Sequence, residues 1–172
     1  ITRLLAYKTQ YKFAIWEDRK FADIGTVSES QLNGGIYKIS SWADYISVHV
    51  VSGPGILNID THCGIIAVVN MSSDNNIMDE AYVSNAMRTI SYNKNVVGIV
   101  TQYRINSPLS HIVPGISLDT LTDHIDQIYT TPENKDWANL FVIGRAIVKS
   151  DNIPQTCFLY LQSIHKYVKK SI

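Results

Sequence analysis

Trp16-Glu17-Asp18-Arg19-Lys20-Phe21-Ala22-Asp23-Ile24-Gly25 is the stretch that decides how this chain is read. The run before it, Tyr11-Lys12-Phe13-Ala14-Ile15-Trp16, has the apolar and aromatic character of a buried strand that ends at Lys20, and side chains on a strand alternate between its two faces. Asp18 and Lys20 therefore share a face. Inside a parallel sheet or barrel, such a face holds a carboxylate and an ammonium a few ångströms apart, with Asp23 just past the strand end. Taken alone, an Asp-x-Lys pair on a strand reads more readily as a structural ion pair than as an active centre.

Composition narrows the classes without choosing among them. Lysine plus arginine number 15 and aspartate plus glutamate 15, so no basic surplus points to nucleic acid or an anionic membrane. No apolar run approaches the ~20 residues of a membrane span. Cys63 and Cys157 form neither a CxxC pair nor a zinc spacing, and read as reduced, packed thiols of a cytoplasmic protein. His49, His62, His111, His124 and His165 show no metal-ligand grouping, so no metal is expected. The first residues, Ile1 to Leu5, lack the shape of a signal peptide. They look instead like the second half of a helix carrying Leu4, Leu5 and Lys8, with no capping residue before it.

Beyond the opening stretch, strand-like runs alternate with helix-like ones. Ser28 and Gln31 have capping-box spacing for a helix from about Ser28 to Tyr37, weakened by Gly34 and Gly35. Tyr45 to Val51 reads as the second strand, stopped by Ser52-Gly53-Pro54-Gly55, and Gly64 to Val69 as the third. Val83, Ala86, Met87 and Ile90 follow the i, i+3, i+4, i+7 rule of a helix opened by Asp79 or Glu80. Val96 to Val100, Ser110 to Val113 and Leu140 to Ile143 complete six strands, with a loop and short helix expected between Leu118 and Tyr129. A last helix from about Pro154 carries Phe158, Leu161, His165 and Val168 on one stripe, and Lys166, Lys169 and Lys170 suit the negative pole of its dipole.

Strands that are apolar almost throughout imply burial on both faces, as in a parallel sheet covered by helices. The polar residues fall at the strand ends: Asp18 and Lys20, His49, Asn70 and Ser72, Gln102 and Arg104, Arg145. That is the active-site end of a (β/α)8 barrel. An open doubly wound sheet also binds ligands there, but GxGxxG and P-loop motifs are absent from the sequence. The expected fold is thus α/β, a (β/α)8 TIM barrel of which residues 1–172, read as a single domain, supply about the last six βα units. Two units are expected to be missing from the front.

The string Asp18-x-Lys20-x-x-Asp23, within Phe21-Ala22-Asp23-Ile24-Gly25, resembles the signature of the orotidine 5′-monophosphate decarboxylase family, in particular its eukaryotic branch. The resemblance covers essentially the whole chain, and about the last two-thirds of the family's domain. It implies that Asp18, Lys20 and Asp23 form the family's charged array, with Asp23 reaching into a partner subunit's site in a homodimer. It further implies that Ser72 binds the pyrimidine, that Gln127 and Tyr129 belong to the phosphate loop, and that Gly144 and Arg145 grip the phosphate. Trp42-Ala43-Asp44, His49 and Gly53-Pro54-Gly55 resemble two further family segments. The implied ligand is a small nucleotide, with no metal or organic cofactor.

The chemistry suits the residues. Loss of carbon dioxide from a pyrimidine carboxylate leaves negative charge on a ring carbon, and Lys20 can supply both the fixed cation and the proton that the carbon needs. Asp18 fixes the ammonium, while Arg145 and Gln127 use phosphate binding, remote from the reacting carbon, to orient the ring.

Departures from the family pattern support a second reading, a catalytically inactive domain with a structural or partner-binding role. Val27 stands where the family has threonine, with Thr26 one place early. Ser117 to Asp126 lacks the family loop's glycines, Asn75 and Asn76 replace a glycine-containing turn, and Ala146 replaces a glycine. An aspartate and a lysine carried by the family's first two strands are not in this sequence. A homodimer, or a second chain supplying those strands, is the expected assembly.

Overall fold

The computed structural model describes residues 1–118 and 126–167. The elements run α1 (Thr2–Tyr11), β1 (Trp16–Phe21), α2 (Gly25–Asn33), β2 (Tyr45–His49), β3 (Gly64–Val68), α3 (Glu80–Ile90), β4 (Val96–Val100), β5 (Ser110–Pro114), β6 (Leu140–Val142), α4 (Arg145–Val148) and α5 (Ile153–Tyr167). Six parallel strands in chain order make this the βα repeat of a (β/α)8 barrel, six units of which lie in the chain. Two compact units divide it: residues 1–69 with 80–99, and residues 70–79 with 100–172. No helix among the described residues is long and apolar enough to cross a membrane.

In the first unit, β2 pairs with β3 residue for residue from Tyr45↔Gly64 to His49↔Val68. Ile65 to Val69 are all buried, as are Ile46 and Val48, which is the two-sided burial a parallel strand requires. In α3, Val83, Ala86 and Ile90 are buried on the expected stripe, and Met87 is partly so.

The first strand lies later than its composition predicts. α1 continues through Tyr11, and Lys12 ends it in the left-handed conformation (φ 54°) with its N–H donating to the Lys8 carbonyl. Residues 11–14 are exposed and outside any strand. β1 starts at Trp16, where pairing with Tyr45 begins, and runs to Phe21, so Asp18 and Lys20 stand on the strand as expected and only its start is displaced.

Nor does the capping box form at Ser28. α2 begins at Gly25, and Ser28 is a buried residue inside it whose hydroxyl donates to the Asp23 carbonyl at 3.0 Å. The helix ends at Gly34, whose N–H closes on the Ser30 carbonyl. Its start is set by a close approach of backbones. A Cβ at Gly25 would lie 2.5 Å from the Gly55 carbonyl oxygen, so only glycine admits the turn carrying Gly53-Pro54-Gly55.

In the second unit, β5 pairs with β6 from Ile112↔Leu140 to Pro114↔Val142. Val113, Ile116, Ala138 and Tyr160 form its core, with Leu118, Trp137, Phe141 and Ile143 packed against them. The stripe expected on α5 faces the wrong way: Phe158 and Leu161 are about half exposed, and Tyr160 is the helix's buried residue. Helical period was legible there, but its phase depends on what the helix packs against. Val168, Lys169 and Lys170 lie outside the described residues, as do residues 119–125 of the expected phosphate loop, His124 among them.

Candidate active site

β1 is out of register with β2 at one place. Glu17 pairs with Ile46 but Phe21 with Val48, so four residues of advance on β1 match two on β2. The surplus forms a bulge, a device that re-aims side chains next to functional sites. Lys20 sits in it in the left-handed conformation, φ 58°. Asp18 and Lys20 do share a side. Lys20 Nζ donates to Asp18 Oδ2 at 2.6 Å, while Arg19 pairs instead with Glu17 at 3.0 Å and lies over the Tyr37 ring.

Left-handed backbone costs a residue other than glycine about 1–2 kcal/mol. The Asp18–Lys20 pair does not offset that by itself, because both side chains are partly exposed (43% and 32%) and such pairs contribute roughly 0.2–1 kcal/mol. Ser47, fully buried in β2, supplies the rest. Its hydroxyl accepts the Lys20 backbone N–H at 3.0 Å and donates to Asp18 Oδ1 at 2.7 Å. A hydrogen bond to a charged group contributes about 1.5–3 kcal/mol. Ser47 was missed in the sequence; its signal was a hydroxyl amid the apolar run Tyr45 to Val51.

His49, at the end of β2, is pulled below the usual histidine pKa, first by burial and then by the Lys20 charge, with Asp18 opposing. Asp23 stands apart from the ion pair. It is exposed, and its carboxylate accepts the Ile24 N–H at 2.7 Å. Thr26 and Val27 are exposed on the first turn of α2. Asp44 anchors the strand entry: it pairs with Lys8 at 2.6 Å and accepts the Ile15 N–H at 2.7 Å.

The second unit brings together Ser72, Gln127, Tyr129 and Arg145. Gln127 Nε2 donates to Ser72 Oγ at 3.1 Å, and the Ile128 N–H donates to the Ser72 carbonyl at 2.7 Å. Arg145 Nη2 donates to Gln127 Oε1, and its guanidinium lies 5.7 Å from the Tyr129 ring centre. Gly115, at φ +79°, lets these segments close, since a Cβ there would come 2.6 Å from the Ile128 carbonyl oxygen. Gly144 immediately precedes α4, and a Cβ added to it would meet open space.

The turn after Ser72 replaces glycine by other means. Asn75 takes the left-handed conformation (φ 53°), with its N–H held by Asp74. Asn76 donates to the Ser73 carbonyl at 2.8 Å and accepts the Met78 N–H at 3.0 Å. Asparagine visits that region more readily than most residues do.

The chain is a partial (β/α)8-barrel protein, with an aspartate–lysine pair on β1 of the first unit and, in the second, a Ser–Gln–Arg–Tyr cluster on the segments that follow β3 and β5 and at the start of α4. The chain belongs to the orotidine 5′-phosphate decarboxylase / HUMPS family, whose model matches residues 2–157. It is 30% identical over 163 residues to uridine 5′-monophosphate synthase of Bos taurus, covering 88% of this chain and 34% of that protein. To orotidine 5′-phosphate decarboxylase of Phycomyces blakesleeanus it is 31% identical over 161 residues, covering 86% of this chain and 60% of that one. The chain thus spans about a third to three-fifths of the length of these relatives.

Solved structures share the fold. Orotidine 5′-monophosphate decarboxylase from Sulfolobus solfataricus superposes with a TM-score of 0.68 at 21% identity, over 91% of this chain and 75% of that one. The enzyme from Methanocaldococcus jannaschii, complexed with the inhibitor BMP, gives 0.69 at 20% identity, over 92% and 77%.

Proposed function

We propose that the protein decarboxylates orotidine 5′-monophosphate to uridine 5′-monophosphate in pyrimidine biosynthesis, in the cytoplasm, with Lys20 as electrostatic stabiliser and proton donor. The observation that carries this reading is the Lys20 ammonium held 2.6 Å from Asp18 on a bulged strand. The family supports it, as does the curated decarboxylase relative at 31% identity.

As the bond from the pyrimidine ring to its carboxylate breaks, the electron pair stays on the ring carbon and carbon dioxide leaves. The Lys20 ammonium stabilises that charge as it develops and then donates a proton to the carbon. Asp18 holds the ammonium in place until the transfer, which leaves Lys20 a neutral amine that takes up a proton from solvent before the next turnover. Arg145, Gln127 and Tyr129 bind the phosphate and Ser72 the pyrimidine, so that contacts remote from the reacting carbon orient the ring. Asp23 would serve a neighbouring subunit, in a homodimer or with a second chain that supplies the first two strands.

The inactive reading draws on Val27, an exposed valine in α2 where the family has threonine. Release of carbon dioxide from orotidine 5′-monophosphate by the purified protein, together with calorimetric binding of a uridine monophosphate analogue, separates the two. Turnover abolished by Lys20→Ala supports the enzyme; neither binding nor turnover by the unmutated assembly, with the first two strands supplied, overturns it.

A further inference from the structure

We propose that Ser47 is the positioning residue of the Asp18–Lys20 pair, fixing where the ammonium stands. Its catalytic consequence rests on the decarboxylase reading; its structural consequence does not.

The bonds close a ring. Lys20's backbone N–H donates to the Ser47 hydroxyl, the hydroxyl donates to Asp18 Oδ1, and Asp18 Oδ2 accepts from Lys20 Nζ. A hydroxyl has one proton to give, and here it goes to the carboxylate, leaving a lone pair for the amide. Both ends of the lysine are thereby referred to one atom of β2. That atom belongs to a fully buried residue in a strand paired continuously with β3, whereas the lysine stands in a bulge. The rigid element positions the irregular one.

Without the hydroxyl, which belongs to a fully buried residue, the Lys20 N–H loses its acceptor and the partly exposed Asp18 loses a donor. The left-handed turn at Lys20 is then held by the ion pair, which is partly exposed. The ammonium should sample a wider volume. Ground-state binding through Arg145 and Gln127 does not depend on that placement, whereas stabilisation of charge at the ring carbon does.

The test uses the intact protein and Ser47→Ala, with Ser47→Cys, a similar-sized side chain that hydrogen-bonds weakly, read in the same way should the alanine variant not fold. Hydrogen exchange followed by NMR should show the Lys20 amide exchanging at least tenfold faster, with the Ile46 and Val48 amides unchanged, and the Lys20 Nζ resonance should shift. In decarboxylation assays kcat should fall at least tenfold with KM within twofold of the unmutated value. An unchanged Lys20 amide, or equal acceleration at Ile46 and Val48, would overturn the proposal. So would an unchanged kcat in an active protein. If the unmutated assembly, with the first two strands supplied, shows no turnover, the decarboxylase reading has failed, and the amide and Nζ signals still decide the role of Ser47.

Discussion

Lys20 and Asp18, two residues apart on one strand, are joined at 2.6 Å between Nζ and Oδ2 because the strand bulges between them and its neighbour. In a regular strand the same two side chains would also share a face. The bulge turns a sequence neighbour into a bonded partner, and it makes the lysine backbone left-handed (φ 58°).

Lys20 should therefore answer differently to two substitutions. On the proposed decarboxylase mechanism, Lys20→Ala and Lys20→Gly should each lower turnover by ~10⁴-fold or more, since both would remove the proton donor and the charge assigned to face the carbanion. In urea denaturation the glycine variant should be the more stable of the two by about 1 kcal/mol, because glycine meets no penalty at positive φ. Equal stability would show that the left-handed conformation relaxes in the variants.

Arg145→Ala should weaken binding of a uridine monophosphate analogue by roughly 10- to 100-fold, the size of a lost charge-assisted hydrogen bond. Binding of the corresponding nucleoside, which has no phosphate, should change less. Calorimetry on both ligands makes the comparison, and an equal loss for both would argue against a phosphate role.

Asp44 links stability to acid pH. The hydrogen bond from Lys8 comes first, then that from the Ile15 amide, in holding its carboxyl below the ordinary aspartate range. A carboxylate whose folded pKa is depressed stabilises the fold fully above its unfolded value, and that stability is lost as pH falls through the folded value. Urea midpoints should accordingly drop below pH 4 more steeply in the unmutated protein than in Asp44→Asn. At pH 7 the variant should be less stable by about 1 kcal/mol, since the pair is partly exposed.

His49 acts over a higher range. Burial disfavours the charged ring in the fold, with the Lys20 charge adding to the effect and Asp18 reducing it. Below the ordinary value of 6.5 the unfolded chain takes up a proton that the folded chain resists, so this residue's contribution to stability declines as pH falls from about 6.5 towards its folded pKa. NMR titration of the ring should give a midpoint below 6.5, and Asp18→Asn should move that midpoint lower still. A midpoint at or above 6.5 would contradict the burial account.

Gly25→Ala should destabilise the first unit by about 1–3 kcal/mol, the range for overpacking a close contact. Its Cβ would sit 2.5 Å from the Gly55 carbonyl oxygen, and that neighbour is backbone, not a flexible side chain. Thermal melting checks it; Gly144→Ala, where a Cβ meets open space, is the control for stability.

What could be read from the chain beforehand follows from which forces are local. α3 was legible because Val83, Ala86 and Ile90 recur at helical spacing and are buried. β3 was legible because five successive apolar residues, Ile65 to Val69, have no exposed face. β1 was misplaced because Tyr11 and Phe13 carry strand propensity, yet α1 runs through Tyr11 and Lys12 turns the chain with a backbone conformation that composition does not reveal. The α5 stripe had the right period and the wrong phase, since the position of Tyr160 depends on packing with Val113, Ile116 and Ala138. In the site, Gln127 and Ser72 are 55 residues apart; the family resemblance singled out each for a separate role, and their contact was not legible in the sequence. Ser47 had a signal, a hydroxyl amid an apolar run, but its partners follow from the register shift between β1 and β2.

Drift in this sequence should leave a signature at position 20. Local preference there favours glycine or asparagine, and lysine persists against it only while something requires an ammonium at that point. Among descendants released from that requirement, a small residue at position 20 should be among the earliest replacements, ahead of changes at Asp18 or Ser47, because it alone gains stability immediately. Retention of lysine in a left-handed turn is thus a more discriminating sign of selection for the charge than retention of either partner.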